Sequence, residues 1–238
     1  MRFATPPIEG RLVQRYKRFL ADVDFADGTR VTAHCANPGA MMGLTAPGNR
    51  VLLSASTNPS RKLAYSWELV EAALPGGPQW VGINTMRPNA LVAEAFAAGR
   101  LAPLAGYTGF KPEVRYGTAS RVDFLASGAG VAPAHVEVKN CHLMRKPGLA
   151  EFPDCVAARS ARHMRELAAL VAGGGRAVVI VVVQMRADAF DVARDLDPAF
   201  DRAFREARAA GVETHAYRCR IDREGVTIAE PIPIVTPA

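Results

Sequence analysis

The 238-residue sequence predicts a mixed α/β protein in two parts: a small β-barrel over residues 1–80, then a mixed sheet with flanking helices over residues 81–238. Three observations predict this. The first 80 residues carry short strand-like segments separated by turn signals, the pattern of a small barrel. From Pro88 onward, helical and strand periods alternate, as they do where helices pack on a sheet. Between the two, Leu74-Pro75-Gly76-Gly77-Pro78 reads as a boundary.

In the first part, Leu12 to Phe25 reads as one long β segment, closed by the hairpin pair Asp27-Gly28 and followed by a return strand, Thr29 to Cys35. A glycine-rich stretch, Asn37 to Gly43, either brings backbone N–H groups to a phosphate or simply makes a tight connection. Val51 to Ser56 and Leu63 to Ala72 are further strands, although the latter run is also long enough for a helix.

In the second part, Pro88 opens a helix that continues through Leu91 to Ala98 and stops at Gly99. Val122–Leu125 and Ala134–Lys139 are strands on either side of the turn Ser127-Gly128-Ala129-Gly130. A helix is expected over 154–172, with Val156, Ser160, Met164, Leu167 and Val171 as its inner stripe. Ala177–Val183 is apolar on both faces, as a central strand must be. Asp197-Pro198 starts a last helix, with Phe200, Ala203, Phe204 and Ala207 on one side. Closing strands over 212–228 surround the turn 222–225.

Composition narrows the class. Hydrophobic residues make up 49% and charged residues 22%, which is globular and not disordered. The longest apolar run, Ala177–Val183, is far short of the about 20 residues of a spanning helix. The start, MRFATPPIEGR, has no apolar signal core, so a soluble, cytoplasmic protein with no membrane partner is expected. Cys35, Cys141, Cys155 and Cys219 show no zinc-like spacing. Lys plus Arg is 29 against 23 Asp plus Glu, a net +6, and only five of the 29 are lysine. Arginine forks suit phosphate, so a polyanionic partner is compatible with this balance.

The chemistry concentrates in Asp123 and in Glu137-Val138-Lys139. Strand side chains alternate faces, so Glu137 and Lys139 point one way while Val136 and Val138 point the other. If the two strands form a hairpin, Asp123 joins the polar face, while Val122 and Phe124 share the apolar one. Two carboxylates can hold Mg²⁺ or Mn²⁺, and a neighbouring lysine can orient water or offset charge on phosphorus. The D…E-x-K spacing resembles the PD-(D/E)xK nuclease superfamily; the plainer alternative is a structural Glu–Lys pair on a hairpin. That superfamily also places an acid on a preceding helix, for which Glu94 is the candidate, a solvated glutamate being the alternative.

Longer stretches make the resemblance more specific. Gln14-Arg15-Tyr16-Lys17-Arg18-Phe19-Leu20-Ala21-Asp22-Val23, His34-Cys35-Ala36-Asn37-Pro38-Gly39-Ala40-Met41, Trp67-Glu68-Leu69, Asp123-Phe124, Glu137-Val138-Lys139 and Phe152-Pro153-Asp154 resemble the sugar fermentation stimulation protein A family, as do Arg159, His163 and Glu166-Leu167. Cys155, Ser160 and His142 depart from its usual alanine, glycine and small polar residue. The resemblance implies an N-terminal OB-like barrel and a C-terminal nuclease-like domain. It also implies non-specific DNA binding and a proposed regulatory role in sugar (maltose) metabolism.

On that basis Asp123 and Glu137 are the expected metal ligands, and Lys139 and Glu94 the other catalytic candidates. Arg15, Tyr16, Lys17 and Arg18, interleaving charge with aromatics, are expected on DNA. Arg61 and Lys62 would form a second strip near Tyr65 and Trp67, with Trp67 expected in the barrel core. Arg159 and His163 share a helix side with Arg162 and Glu166, and would contact a phosphate beside the metal. Two other readings remain open: a non-enzymatic DNA-binding regulator that keeps the fold, and a metal-dependent hydrolase of a small phosphorylated molecule.

Overall fold

The computed structural model describes residues 1–3, 5–116 and 120–237. The first part consists of β1 (Ile8–Tyr16), β2 (Leu20–Asp24), β3 (Arg30–His34), β4 (Arg50–Ala55), β5 (Tyr65–Leu74) and β6 (Gly77–Gly82). They are ordered β3-β2-β1-β4-β5-β6, and a short parallel pairing of β3 with β5 (Ala33↔Tyr65, His34↔Ser66) closes the first five into a barrel. Alternating apolar residues fill it. Leu12, Val23, Leu53 and Trp67 are fully buried, and the Trp67 indole donates to the Leu69 carbonyl at 2.9 Å.

Two expectations change here. The single β segment over 12–25 is two strands, because Lys17 (φ 45°) and Arg18 (φ 64°) turn the chain in the left-handed region. Neither is the glycine or asparagine that usually marks such a turn. The stretch expected as a boundary, Leu74 to Pro78, is the β5–β6 hairpin, with Leu74 paired to Gly77. The sheet therefore continues through β6 to Gly82. There the Gly82 N–H donates to the Gln184 carbonyl at 2.9 Å, and a Cβ would lie 2.3 Å from the Gln184 side chain.

The second part begins with α1 (Pro88–Ala97), then β7 (Gly109–Tyr116), β8 (Ser120–Gly128), β9 (Val131–Cys141), β10 (Leu143–Lys146) and β11 (Leu149–Phe152). It continues with α2 (Ala158–Ala172), β12 (Arg176–Val183), β13 (Ala189–Val192), α3 (Pro198–Ala209), β14 (Glu213–Ile221) and β15 (Val226–Ile232). The main sheet is ordered β15-β14-β12-β9-β8-β7, and β10-β11-β13 forms a smaller one. β12 runs parallel to both β9 and β14, while β7, β8 and β9 form antiparallel hairpins. Residues of β12 split between two cores. Val178, Ile180 and Val182 pack with Leu91, Val92 and Ala95 of α1. Val179, Val181 and Val183 belong to the core that holds Met164, Leu167, Phe200 and Phe204 of α2 and α3. That second core is continuous with the barrel interior.

α3 starts as its sequence indicates, with the Asp197 side chain accepting from Phe200 N–H at 2.9 Å. α2 starts later than expected. The other Asp197 oxygen accepts from Ala157 N–H at 2.7 Å, and Asp154 is engaged elsewhere, so the helix begins at Ala158. Val156, expected on its inner stripe, is 73% exposed. No described helix is long and apolar enough to cross a membrane.

Candidate functional site

Beyond the Phe124↔Val136 pair, β8 and β9 stop sharing a ladder. Asp123 bridges the gap. Its Oδ2 accepts the Val138 N–H at 2.7 Å, where a backbone carbonyl would otherwise stand. Its Oδ1 accepts from the amide of Asn89, on the first turn of α1, at 2.9 Å. The splay alters one expectation: Val122 and Phe124 do not share a face but belong to different hydrophobic cores.

On β9, Glu137 and Lys139 pair in register with Val179 and Val181, on the side that α2 covers. Both are buried. Lys139 Nζ donates to Glu137 Oε1 at 2.7 Å, and His163 Nδ1 meets the same oxygen at 2.7 Å. Arg159 Nε donates to His163 Nε2 at 3.4 Å, which leaves the ring proton on Nδ1. Oε1 is thus doubly satisfied. Among the described residues Oε2 is buried without a hydrogen-bond partner, an arrangement that is costly unless something else binds there.

These groups line a cleft of about 710 Å³ together with Asn89, Glu113, Arg121, Arg159 and Arg162. Burial pushes the Asp123 carboxyl above its ordinary range, and the neighbouring Glu137 charge adds to that, outweighing the Val138 and Asn89 hydrogen bonds. Burial pushes Glu137 the same way, but the Lys139 ammonium and the His163 contact prevail and hold it low. Two neighbouring carboxyls with opposite displacements leave negative charge that a divalent cation would relieve. Among the described residues no three His, Cys, Asp or Glu gather to hold a metal. The donor set is therefore two carboxylates, which fits Mg²⁺ or Mn²⁺ completed by water and substrate oxygens better than it fits zinc.

Several expected site residues lie elsewhere. Glu94 does not line the cleft; its carboxylate pairs with the Met1 ammonium at 2.8 Å and with Arg100 at 3.3 Å. Asn89, one turn earlier on α1, is the residue that reaches Asp123. His163 does line the cleft, but it is buried and its Nδ1 is turned onto Glu137 Oε1. Arg15 spends its guanidinium on the carbonyls of Arg18, Asn37 and Gly39. The Tyr16 hydroxyl donates to Asp22 at 3.2 Å. Lys17 and Arg18 are exposed on the β1–β2 turn, and Arg18 lines a groove next to the cleft. Arg61 and Lys62 sit on the β4–β5 loop, away from the cleft, where Arg61 Nη2 donates to His34 Nδ1 at 3.3 Å. Arg121 and Glu113 carry no sequence signal for the cleft, while Arg162, grouped by helical spacing with Arg159 and His163, joins them in its lining. Glu113 has a left-handed φ of 54° within a strand, which its residue type does not announce.

The glycine-rich loop serves the junction between the two parts. Met41 N–H donates to Asp154 Oδ2 at 2.8 Å, and the same oxygen meets His142 Nε2 at 3.2 Å. A Cβ at Gly39 would stand 2.5 Å from that carboxylate. A protein carboxylate thus takes the place proposed for a phosphate. Burial opposes ionisation of Asp154, but His142 and the Met41 N–H hold its carboxyl down at about 2. A depressed carboxyl stabilises the fold above its unfolded value and loses that contribution as pH falls through the folded value. Asp154→Asn is therefore expected to cost roughly 2 kcal/mol at pH 7. The gap to wild type should close between about pH 4 and pH 2, as followed by denaturant unfolding across that range.

A closed five-stranded barrel followed by a mixed sheet with flanking helices, which carries a carboxylate pair and a lysine at splayed strand ends, defines a two-part class of protein, an OB-like barrel joined to an α/β domain. The family model described as SfsA N-terminal OB domain matches residues 13–83, and that described as Sugar fermentation stimulation protein RE domain matches residues 86–225. The chain belongs to the sugar fermentation stimulation protein family. It is 76% identical over 236 residues to a sugar fermentation stimulation protein homolog of Methylorubrum populi, covering 99% of this chain and 96% of the relative. It is 74% identical over 237 residues to the homolog of Methylobacterium radiotolerans, covering 100% of both. A solved structure of Pyrococcus furiosus SfsA in complex with Ca²⁺ superposes with a TM-score of 0.88 at 24% identity, over 98% of this chain and 97% of that one.

Proposed function

We propose that the chain is a sequence-tolerant DNA-binding protein with a divalent-cation-dependent, nuclease-like centre. The observation that carries this reading is Glu137 Oε2, buried without a hydrogen-bond partner among the described residues beside the Asp123 carboxyl, in a cleft rimmed by Arg121, Arg159 and Arg162. Asp123 and Glu137 would hold the cation, which supplies Lewis acidity toward a phosphodiester and acidifies water. The rest falls to the chain. Lys139 Nζ, fixed on Glu137, lies where it can orient water or offset charge on a phosphoryl oxygen. The rim arginines bind backbone phosphates, which carry no sequence information. The solved structure of Pyrococcus furiosus SfsA in complex with Ca²⁺ supports a cation site in this fold.

Purified protein with Mg²⁺ or Mn²⁺ is expected to cleave DNA, and Asp123→Ala or Glu137→Ala to abolish cleavage while sparing binding. DNA affinity should fall steeply with salt as counterions are released. Intact DNA after incubation with either metal would remove the catalytic half. A DNA-binding regulator without turnover is favoured by one observation, a donor set of only two carboxylates among the described residues; binding in the absence of cleavage would select it.

A further inference from the structure

Beside the carboxylate cleft lies a second cavity of about 630 Å³. The two form one opening, since Thr85, Val138, Lys139, Asn140, Arg159 and Ser160 line both. The second cavity runs between Arg18 and Pro38 of the barrel and the segment 151–157 that leads into α2. Its surface differs from that of the cleft. Phe152, backed edge-on by Phe200 at 5.1 Å and 77°, supplies an aromatic wall, and Pro38, Pro153 and Val156 continue the apolar surface. Val156 is 73% exposed, an aliphatic side chain left bare at the groove.

Polar groups stand where a flat, edge-bearing ligand would need them. Asn140 gives one N–H to His142 and accepts from Gln184, so its second N–H has no partner among the described residues. Arg18 and Arg159 lie at the groove, and among the described residues the Arg159 side chain makes a single hydrogen bond, to His163. The volume falls in the range of about 300–1,000 Å³ that ligand pockets occupy. Apolar walls for a face, amide hydrogens for an edge and guanidinium groups for flanking phosphates are the requirements of an unpaired nucleobase.

We infer that this groove receives one unpaired nucleobase next to the phosphate held at the carboxylate cleft, so that the chain takes single-stranded DNA in preference to duplex. The inference rests on the nuclease-like reading above and adds the form of its substrate. A base inside a duplex stays stacked and paired, and entering such a groove would cost its unstacking.

The test uses the full chain with Ca²⁺ as the divalent ion, a labelled 12-nucleotide single strand carrying 2-aminopurine, and a blunt duplex of the same length. Wild type is expected to bind the single strand about tenfold more tightly and to change the 2-aminopurine emission. Val156→Asp should weaken single-strand binding about tenfold while barely moving the duplex, and Val156→Trp should tighten it. Position 156 is exposed, so neither variant disturbs the core. Equal affinity for both polymers, or single-strand affinity unmoved by both variants, overturns the inference and leaves the cleft reading standing. A wild-type protein that binds neither polymer overturns both.

Discussion

Glu68→Ala is expected to destabilise the protein by about 3–5 kcal/mol, the range found when one partner of a buried ion pair is removed. The Glu68 side chain is 1% exposed. Ser54 Oγ donates to its Oε1 at 2.6 Å, while Asn84 Nδ2 and Arg87 Nε each donate to its Oε2 at 2.9 Å. Arg87 also donates to Oε1, so the guanidinium and carboxylate meet as a fork. This residue of β5 therefore fastens β4, the segment after β6 and the residue that opens α1. α1 has no side-chain cap at Arg87, so its start depends on that clamp. Removing the carboxylate leaves Arg87 charged and half-buried, and frees the turn from which Asn89 reaches Asp123. Glu68→Gln keeps the shape but not the charge, and should cost less. Urea unfolding of the three proteins checks this, and a loss under about 1 kcal/mol for the alanine variant would show that the clamp is idle.

The Trp67-Glu68-Leu69 stretch illustrates what the sequence does and does not reveal. Trp67 reads correctly as barrel core, because alternation on a strand is a local signal. Leu69, two residues on, packs in the other core because the β4–β5 ladder shifts register between them. Glu68 carried no such signal: its partners are 14 to 19 residues away and converge only when the barrel closes. The same division runs through the site. Asp123, Glu137 and Lys139 could be brought together on paper because hairpin pairing and side-chain alternation are short-range rules. Glu94 joins that group on helix periodicity alone, which says which face a residue occupies but not that the Met1 ammonium will pair with it. The Lys17-Arg18 turn was hidden for another reason: two cationic residues occupy left-handed φ values where glycine or asparagine would have marked the break.

His163→Ala should weaken divalent-cation binding about 10–100-fold, the usual cost of removing a group that orients a metal ligand. On the proposed reading, Glu137 offers Oε2 to the cation only because His163 and Lys139 occupy Oε1. Without the imidazole, Lys139 alone anchors the carboxylate, and its free oxygen loses a fixed direction. His163→Asn, whose amide can still donate, should recover most of the affinity. Mn²⁺ titration followed by electron paramagnetic resonance reads this directly, without reference to turnover. The measurement also separates two roles for one residue. Helical spacing groups His163 with Arg159 and Arg162 as a phosphate contact, and on that account both variants would leave Mn²⁺ affinity intact and weaken oligonucleotide binding instead. The buried ring and its 2.7 Å contact with Glu137 predict the opposite order of effects, with cation affinity falling first and DNA affinity following only where it depends on the cation.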